Sequence, residues 1–336
     1  HNYVSKEVIN VRENVGVMEL ANFSKHEFKG PDAKKFLDYV MAGKLPKPGR
    51  ISLSPMLTRK GKLYGDLTVA CMDDNEFMIF GSGAAQEMHR RWFESHIGKF
   101  NLEYKNRSDD FHGLAISGPK SREVLQKVVR DNVSNEKFKF RDSRRMYVAG
   151  VPAIVNRISF TGELGYEIYV APHYQIKLYE ELTEAGKEFN IKPFGLRALM
   201  SMRLEKNWGA WTLDYRPDFT AKETGLDAFI NWDKEFIGKK YAKEDNSVNK
   251  LTPMVVETNE IDVTYNEAVL KDDKAIGYVT SGGFAHFVNK SVAFSYLDTN
   301  KLNSGKGIQV EINGDLFNCN LIKEPLYDPS GSKMRS

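Results

Sequence analysis

Residues 159–169, SFTGELGYEIY, place two glycines and two carboxylates in a turn that continues into a strand. Side chains alternate between the two faces of a strand, so the pattern predicts Glu167 and Tyr169 on one face and Ile168 on the other. A carboxylate inside a mostly apolar strand loses hydration unless it meets a cation or hydrogen-bond donors. Glu167 is therefore expected either to bind a donor-rich ligand or to lie exposed on an edge strand.

Composition limits the function classes open to this chain. Its 336 residues are enough for two or three domains, and 41% hydrophobic with 28% charged residues is typical of a soluble globular protein. A net charge of +3 argues against a nucleic-acid partner. No apolar run approaches the ~18 residues of a membrane helix, so no membrane partner is expected. A small molecule is the expected ligand.

Cysteine and histidine usage predicts neither a disulfide framework nor a metal site. Cys71 and Cys319 lie in apolar, strand-like segments, and none of the seven histidines has a metal-binding spacing. Buried thiols fit a reducing compartment, so the predicted location is the cytoplasm, or the mitochondrial matrix in a eukaryote. No secretory segment is recognised. The chain opens at His1 without Met, which favours a piece of a longer polypeptide or a trimmed chain.

A strand–Gly–Pro–helix unit occurs twice, at residues 30–31 and 118–119, 88 positions apart. Glycine allows a tight exit from the strand, and proline suits a first helical turn. The repetition predicts an internal duplication in an α+β domain of residues 1–242. Within it, residues 63–71 and 76–80 read as a hairpin, and residues 144–155 and 158–170 each read as a strand.

Composition changes after the polar stretch 243–250. Short alternating strands with Gly, Asn and Asp turns follow, which predict a small β-barrel or sandwich over residues 250–327. Upstream, Gly81-Ser82-Gly83 resembles part of a dinucleotide loop, but Gln86 occupies the third glycine position and the context is a hairpin. No FAD or nicotinamide is therefore expected in this chain.

Two further segments carry groups that could act on a ligand. In residues 63–69, LYGDLTV, alternation places Asp66 and Thr68 on one face, either as an exposed strand surface or as a ligand site. A carboxylate beside an amine can stabilise cationic character on a neighbouring carbon. Arg197 and Arg203 lie on a predicted helix, residues 194–206, and either cover an apolar edge or recognise a carboxylate. The aromatics at 208–219 read as core packing or as a stacking surface.

These motifs together resemble the folate-dependent aminomethyltransferases of the glycine-cleavage T-protein superfamily. The T-G-E-x-G-[FYW]-E signature matches residues 161–167, and residues 65–69 are similar to the D-L-x-V strand of that family. Residues 220–226, TAKETGL, resemble T-P-x-E-x-G-L with Ala221 in place of proline, and residues 280–293 resemble the T-S-G…K-x-x-A motif. The resemblance is closest to the folate-binding C-terminal half of dimethylglycine and sarcosine dehydrogenases.

The resemblance implies an α+β fold in a three-lobed cloverleaf, with two intertwined α+β subdomains, a C-terminal β-barrel and tetrahydrofolate in a central channel. Asp66 matches the catalytic aspartate, and Thr68 matches a neighbouring ligand contact. Glu167 matches the glutamate that binds the pterin N–H groups. Phe160 stands where the family usually has Tyr, and Arg197 falls near the folate tail, although the dehydrogenases can lack that arginine.

The leading hypothesis is an enzyme that passes a one-carbon unit from a methylated amine, such as dimethylglycine or sarcosine, to tetrahydrofolate, forming 5,10-methylenetetrahydrofolate. A flavoprotein domain or subunit is the candidate partner that oxidises the amine. The alternatives are a T-protein acting on an aminomethyl-lipoyl carrier, a demethylase of another small onium compound, or a non-catalytic folate-binding scaffold for a flavoprotein. Asp66 favours an enzyme over a scaffold.

Overall fold

The chain builds two β-sheets that face each other and a separate β-barrel, which gives the three lobes that the resemblance implies. The computed structural model describes residues 1–258, 261–302 and 307–336. Its helices are α1 Asn2–Glu13, α2 Ala33–Val40, α3 Gln86–Ile97, α4 Ser121–Val128, α5 Gln175–Gly186, α6 Leu196–Glu205, α7 Ala221–Thr224, α8 Lys239–Lys243 and α9 Ser332–Arg335.

The first sheet, called the Asp66 sheet, is antiparallel with strand order β3-β4-β5-β2-β6. Its strands are β2 Ser24–Lys29, β3 Arg50–Leu57, β4 Leu63–Asp73, β5 Glu76–Gly81 and β6 Glu103–Asn106. Helices α2 and α3 contribute residues to the apolar core on one face of this sheet; the core residues from these elements include Phe28, Phe36, Leu67, Ile79 and Phe93. The predicted hairpin of β4 and β5 is present.

The second sheet, called the Glu167 sheet, has the order β11-β1-β7-β10-β9-β8. Its strands are β1 Gly16–Glu19, β7 His112–Ser117, β8 Ser143–Val148, β9 Val151–Asn156, β10 Gly165–Val170 and β11 Lys192–Pro193. Helices α4 and α5 share a core with this sheet. Because β1 precedes the Asp66 sheet in sequence and pairs with β7, which follows that sheet, the two subdomains are intertwined.

Both predicted strand–Gly–Pro–helix units are present, at the β2–α2 and β7–α4 connections. Gly30 and Gly118 have φ angles of 132° and 133°, which L side chains rarely adopt. A Cβ at Gly118 would lie 2.4 Å from the carbonyl oxygen of Asn14, so the backbones approach too closely for any side chain. Both units therefore use the same glycine backbone conformation.

Two strand predictions in the Glu167 sheet were wrong in extent. Residues 144–155 form the hairpin β8–β9 rather than one strand, because Ala149 and Gly150 adopt positive φ angles of 50° and 76° and turn the chain. The strand predicted over 158–170 begins only at Gly165. The preceding residues form a loop in which the hydroxyls of Ser159 and Thr161 lie 2.7 Å apart.

The C-terminal lobe is a closed barrel with the order β12-β15-β14-β13-β16-β17, which decides between the predicted barrel and sandwich. Its strands are β12 Asn249–Val256, β13 Ala268–Lys271, β14 Lys274–Ala285, β15 Lys290–Asp298, β16 Ile308–Ile312 and β17 Asp315–Leu321. Closure leaves no free sheet edge. The domain boundary between residues 242 and 250 stays a prediction.

Buried Asp214, in the connection between α6 and α7, joins the barrel to the rest of the molecule. Its Oδ2 accepts a hydrogen bond from Nη1 of Arg203 at 2.7 Å, and its Oδ1 accepts from the hydroxyls of Thr280 and Ser281 at 2.5 and 2.7 Å. The Tyr296 hydroxyl donates to the Asp214 carbonyl at 2.7 Å. A buried charge pair with these additional donors fixes one geometry between α6 and the barrel.

Replacing Asp214 by Ala is expected to lower the free energy of unfolding by ~3–5 kcal/mol, because Arg203 would keep a buried charge without a partner. Urea unfolding measures this difference. The matched control is Asp218→Ala in the same connection, whose side chain is 70% exposed and which should change stability by less than ~0.5 kcal/mol. A loss below ~1 kcal/mol for Asp214→Ala would contradict the role given to this carboxylate.

Candidate functional site

The inner faces of the two sheets meet in an apolar layer. Phe80 of β5 stacks on Tyr169 of β10 with 4.6 Å between ring centroids and 26° between ring planes. Ile51, Ala70 and Met78 of the Asp66 sheet and Ile154 of the Glu167 sheet belong to the same buried cluster. Residues that share the faces of Phe80 and Tyr169 therefore lie between the sheets.

Asp66 and Thr68 lie on the inner face of the Asp66 sheet. Thr68 is directly opposite Phe80, and Asp66 is the next residue of β4 on that face, since same-face residues alternate along a strand. Along β4, Asp66 and Thr68 keep partial solvent exposure, whereas their neighbours Gly65, Leu67 and Val69 are buried. Residues that keep a small exposed fraction on a face that another sheet covers line a space between the sheets.

The Asp66 carboxylate has an unusual environment for an ionised group. Burial raises its pKa to about 7, and its own backbone N–H opposes that rise. In the described part of the chain, no ion pair involves Asp66 and no side chain donates a hydrogen bond to its carboxylate. A desolvated carboxylate with neither a cation nor a side-chain donor is more typical of a functional group than of a structural one.

Glu167 occupies the corresponding face of the Glu167 sheet, as the alternation predicts. Tyr166 and Ile168 enter the core beneath α4 and α5, whereas Tyr169 joins the layer between the sheets. The Tyr169 hydroxyl donates a hydrogen bond to Oε2 of Glu167 at 2.9 Å. Burial raises the pKa of Glu167 to about 7, although the hydrogen bond from Tyr169 and the positive charge of Lys25 both act to lower it.

Phe160 and Arg197 are less closely tied to this space. Phe160 is 37% exposed in the loop before β10 and stacks on Trp208, with ring centroids 5.7 Å apart. Arg197 lies exposed in the first turn of α6. No hydrogen bond or ion pair within the described ranges joins either residue to Asp66 or Glu167. The structure therefore places Asp66, Thr68 and Glu167 on facing sheets, whereas no hydrogen bond or ion pair among the described residues ties Phe160 or Arg197 to this group.

Arg203 does recognise a carboxylate, but that carboxylate is Asp214 of the protein itself, so this arginine is part of the barrel attachment. The GSG segment is not a dinucleotide loop, because β5 runs antiparallel to both of its neighbours. Cys71 and Cys319 are free and buried as predicted. Burial raises the pKa of both thiols, to about 11 and about 12, so they are unreactive at neutral pH.

Tyr215 is a candidate that the sequence pattern did not separate from core aromatics. Its ring packs so closely on Gly209 that a Cβ there would lie 2.5 Å from Cε1 and Cζ. Burial raises the pKa of Tyr215, and the negative charge of Asp66 raises it further, which places the phenol near that carboxylate. Gly209, which lies among the aromatic residues of this segment, is the sequence signal that could have identified this close packing.

The donor set limits the chemistry of the site. Across residues 1–258, 261–302 and 307–336, no group of three or more His, Cys, Asp or Glu side chains is arranged to hold a metal ion. None of the described helices has both the length and the apolar character that a bilayer span requires. Two desolvated carboxylates can accept hydrogen bonds from N–H groups and stabilise a cation between the sheets.

Comparisons with known proteins agree with the fold of the three lobes. Residues 1–234 match the GCVT N-terminal domain, and residues 249–328 match the glycine cleavage T-protein C-terminal barrel domain. Over 342 residues the chain is 35% identical to the mitochondrial dimethylglycine dehydrogenases of Mus musculus and Homo sapiens, an alignment that covers 99% of this chain. It covers 39% of each of those proteins, so the chain spans about two-fifths of their length.

Other relatives match over most of their length. The chain is 30% identical over 329 residues to the aminomethyltransferase of Caldanaerobacter subterraneus subsp. tengcongensis, covering 96% of this chain and 87% of that protein. The crystal structure of glycine cleavage system aminomethyltransferase T from Bartonella henselae has the same fold, with a TM-score of 0.88 at 21% identity over 97% of this chain and 90% of that one. The chain therefore belongs to the glycine cleavage T-protein family.

Proposed function

We propose that this chain transfers a one-carbon unit from a methylated amine, such as dimethylglycine or sarcosine, to tetrahydrofolate, forming 5,10-methylenetetrahydrofolate. The observation that carries the proposal is the pair of desolvated carboxylates, Asp66 and Glu167, on the facing surfaces of two sheets. Neither forms an ion pair with a described residue. A ligand with N–H donors and a developing positive charge would supply the partners that both groups lack.

Glu167 is proposed to bind the pterin ring. When bound, tetrahydrofolate supplies the amine nitrogens that accept the one-carbon unit. One oxygen of Glu167 is held by the Tyr169 hydroxyl, which orients the carboxylate while leaving its other oxygen without a described partner. An ionised carboxylate in this position can accept hydrogen bonds from an amino group and a ring N–H that lie side by side.

Asp66 is proposed to act on the reacting nitrogen. Its negative charge, in a site of low polarity, would stabilise an iminium carbon, and its pKa of about 7 suits the transfer of a proton to the departing amine. Thr68, on the same face, is proposed as a neighbouring ligand contact. Phe160 is proposed to stack on the ligand, and Arg197 to meet the carboxylates of the folate tail.

The whole proteins' partners are also proposals for this chain. Similarity to dimethylglycine dehydrogenases supports a flavoprotein domain or subunit as the partner that oxidises the amine. That the chain itself holds no FAD stays a prediction, as do its location in the cytoplasm or mitochondrial matrix and the absence of a nucleic-acid partner. A T-protein reaction is the second candidate, favoured by the match to an aminomethyltransferase over 87% of its length.

Glu167→Gln is expected to weaken binding of a reduced folate by ~2–4 kcal/mol, because the neutral amide loses charge-assisted hydrogen bonds to the pterin. Isothermal titration calorimetry measures the affinity. Glu311→Gln is the control, since that exposed glutamate lies on β16 of the barrel. An affinity of Glu167→Gln within threefold of the parent would exclude Glu167 as the pterin anchor.

Asp66→Asn is expected to retain folate binding while methylene transfer falls roughly 10²-fold or more, because the shape is kept and the charge is lost. Condensation of formaldehyde with tetrahydrofolate, measured above the uncatalysed rate, provides the assay. Unchanged turnover would make Asp66 a structural residue and favour the scaffold alternative. Loss of binding together with turnover would place Asp66 in ligand recognition instead.

A further inference from the structure

Lys25 is a fully buried lysine in the same layer as the two carboxylates. It lies on β2 directly opposite Phe80, so its side chain shares the inner face of the Asp66 sheet, and its exposed fraction is 0%. Its Nζ donates a hydrogen bond to the carbonyl oxygen of Ala21 at 2.8 Å. No carboxylate of the described residues lies within 4.0 Å of this ammonium. Lysine is rarely buried in this way unless it is paired, so its charge calls for a function.

The Lys25 ammonium lies close to the hydrogen-bonded pair of Tyr169 and Glu167. Its Nζ is 5.8 Å from the centroid of the Tyr169 ring, and the hydroxyl of that ring donates to Glu167. Burial lowers the pKa of Lys25 to about 8, and the charges of Glu19, Asp109 and Glu167 oppose this shift. Glu19 and Asp109 are exposed, so water and salt screen them, whereas Glu167 is screened far less.

The other groups around Glu167 leave Lys25 as its source of positive charge. Directly opposite Glu167 on β7 and β9 are Ala115 and Asn156, which are uncharged. The facing sheet carries Asp66, a second carboxylate, which adds no positive charge.

Glu27 lies on the same face of β2 as Lys25, but its charge is already engaged. It forms ion pairs with Lys29 at 3.3 Å and with Arg107 at 3.6 Å. Both cations have a closer carboxylate as well, since Lys29 lies 2.7 Å from Glu76 and Arg107 lies 2.8 Å from Asp110. Among the described residues, Lys25 is the cation whose charge acts on Glu167.

We propose that Lys25 is a positioning residue for folate: its buried ammonium, beside the Tyr169 ring, raises the ionised fraction of Glu167 at neutral pH, and ionised Glu167 accepts the pterin N–H groups. The inference rests on the proposed function and adds to it an electrostatic effect of Lys25 on Glu167, called the Lys25 effect below. Lys25 does not touch the ligand, because it has no exposed surface. Its effect passes through the ionisation state of Glu167 alone.

The test compares Lys25→Met and Lys25→Arg with the parent by calorimetric titration with 5-formyltetrahydrofolate from pH 6 to 9. Binding needs ionised Glu167, so the parent's affinity should rise with pH around a midpoint near 7. Lys25→Met should move that midpoint up by about one unit, which lowers affinity about fivefold at pH 7 and leaves it unchanged at pH 9. Lys25→Arg should keep the parental profile.

Two controls separate this role from a structural one. Met fills the same space without a buried charge, so Lys25→Met should fold with undiminished thermal stability. In a Glu167→Gln background, Lys25→Met should leave the pH profile unchanged, because the group through which it acts is gone. A loss of affinity that is equal at every pH, or no loss at pH 7, would overturn the proposal.

A measurement without ligand distinguishes failure of this inference from failure of the proposed function. The carboxyl of Glu167, followed by ¹³C NMR in the free protein, should titrate about one pH unit higher in Lys25→Met than in the parent. An unchanged titration would refute the Lys25 effect. A shifted titration in a protein that binds no folate would support the Lys25 effect and reject the proposed function.

Discussion

The face-to-face packing of two sheets is the constraint on which the rest of the molecule depends. The stack of Phe80 on Tyr169 marks an apolar layer in which Asp66 and Glu167 lose hydration, and no described residue places a cation within ion-pair distance of either. Because burial raises the pKa of both carboxyls to about 7, their full contribution to stability is present below their ordinary pKa and is lost as the pH rises toward 7. At neutral pH the free protein is therefore less stable than a variant with uncharged residues at these two positions would be. A ligand that supplies hydrogen-bond donors restores the lost stability.

The third lobe has a different role in this arrangement. The barrel carries none of the site carboxylates, yet its attachment uses a buried charge pair and three hydroxyl donors on Asp214. The connection that carries Asp214 also carries Tyr215, which lies near Asp66. Holding that connection against the barrel therefore fixes Tyr215 relative to Asp66.

Local patterns were enough to predict much of the fold and part of the site. Alternation placed Asp66, Thr68 and Glu167 on the faces where the structure has them, since a period of two depends on no distant contact. The Gly-Pro units were predictable for the same reason. The hairpin turn at Ala149 and Gly150 was missed because apolar residues continue on both sides of it. The family resemblance supplied the relation between the lobes, which no local pattern carries.

Partnerships formed across the fold could not be read from the chain. Arg203 meets Asp214 through a turn that the sequence pattern does not specify, and Lys25 becomes buried only because the second sheet covers β2. On β2 alone, a lysine between Ser24 and His26 reads as an ordinary polar residue. Its proximity to Glu167 joins residues more than 140 positions apart, which only the packing of the two sheets brings together.

The most direct measurement is a crystal structure of the chain with 5-formyltetrahydrofolate. We expect the pterin between the two sheets, with its amino group and ring N–H within ~3.2 Å of Glu167 and its N5 edge toward Asp66. A folate bound elsewhere, with neither carboxylate in contact, would contradict a site built on the facing surfaces of the sheets.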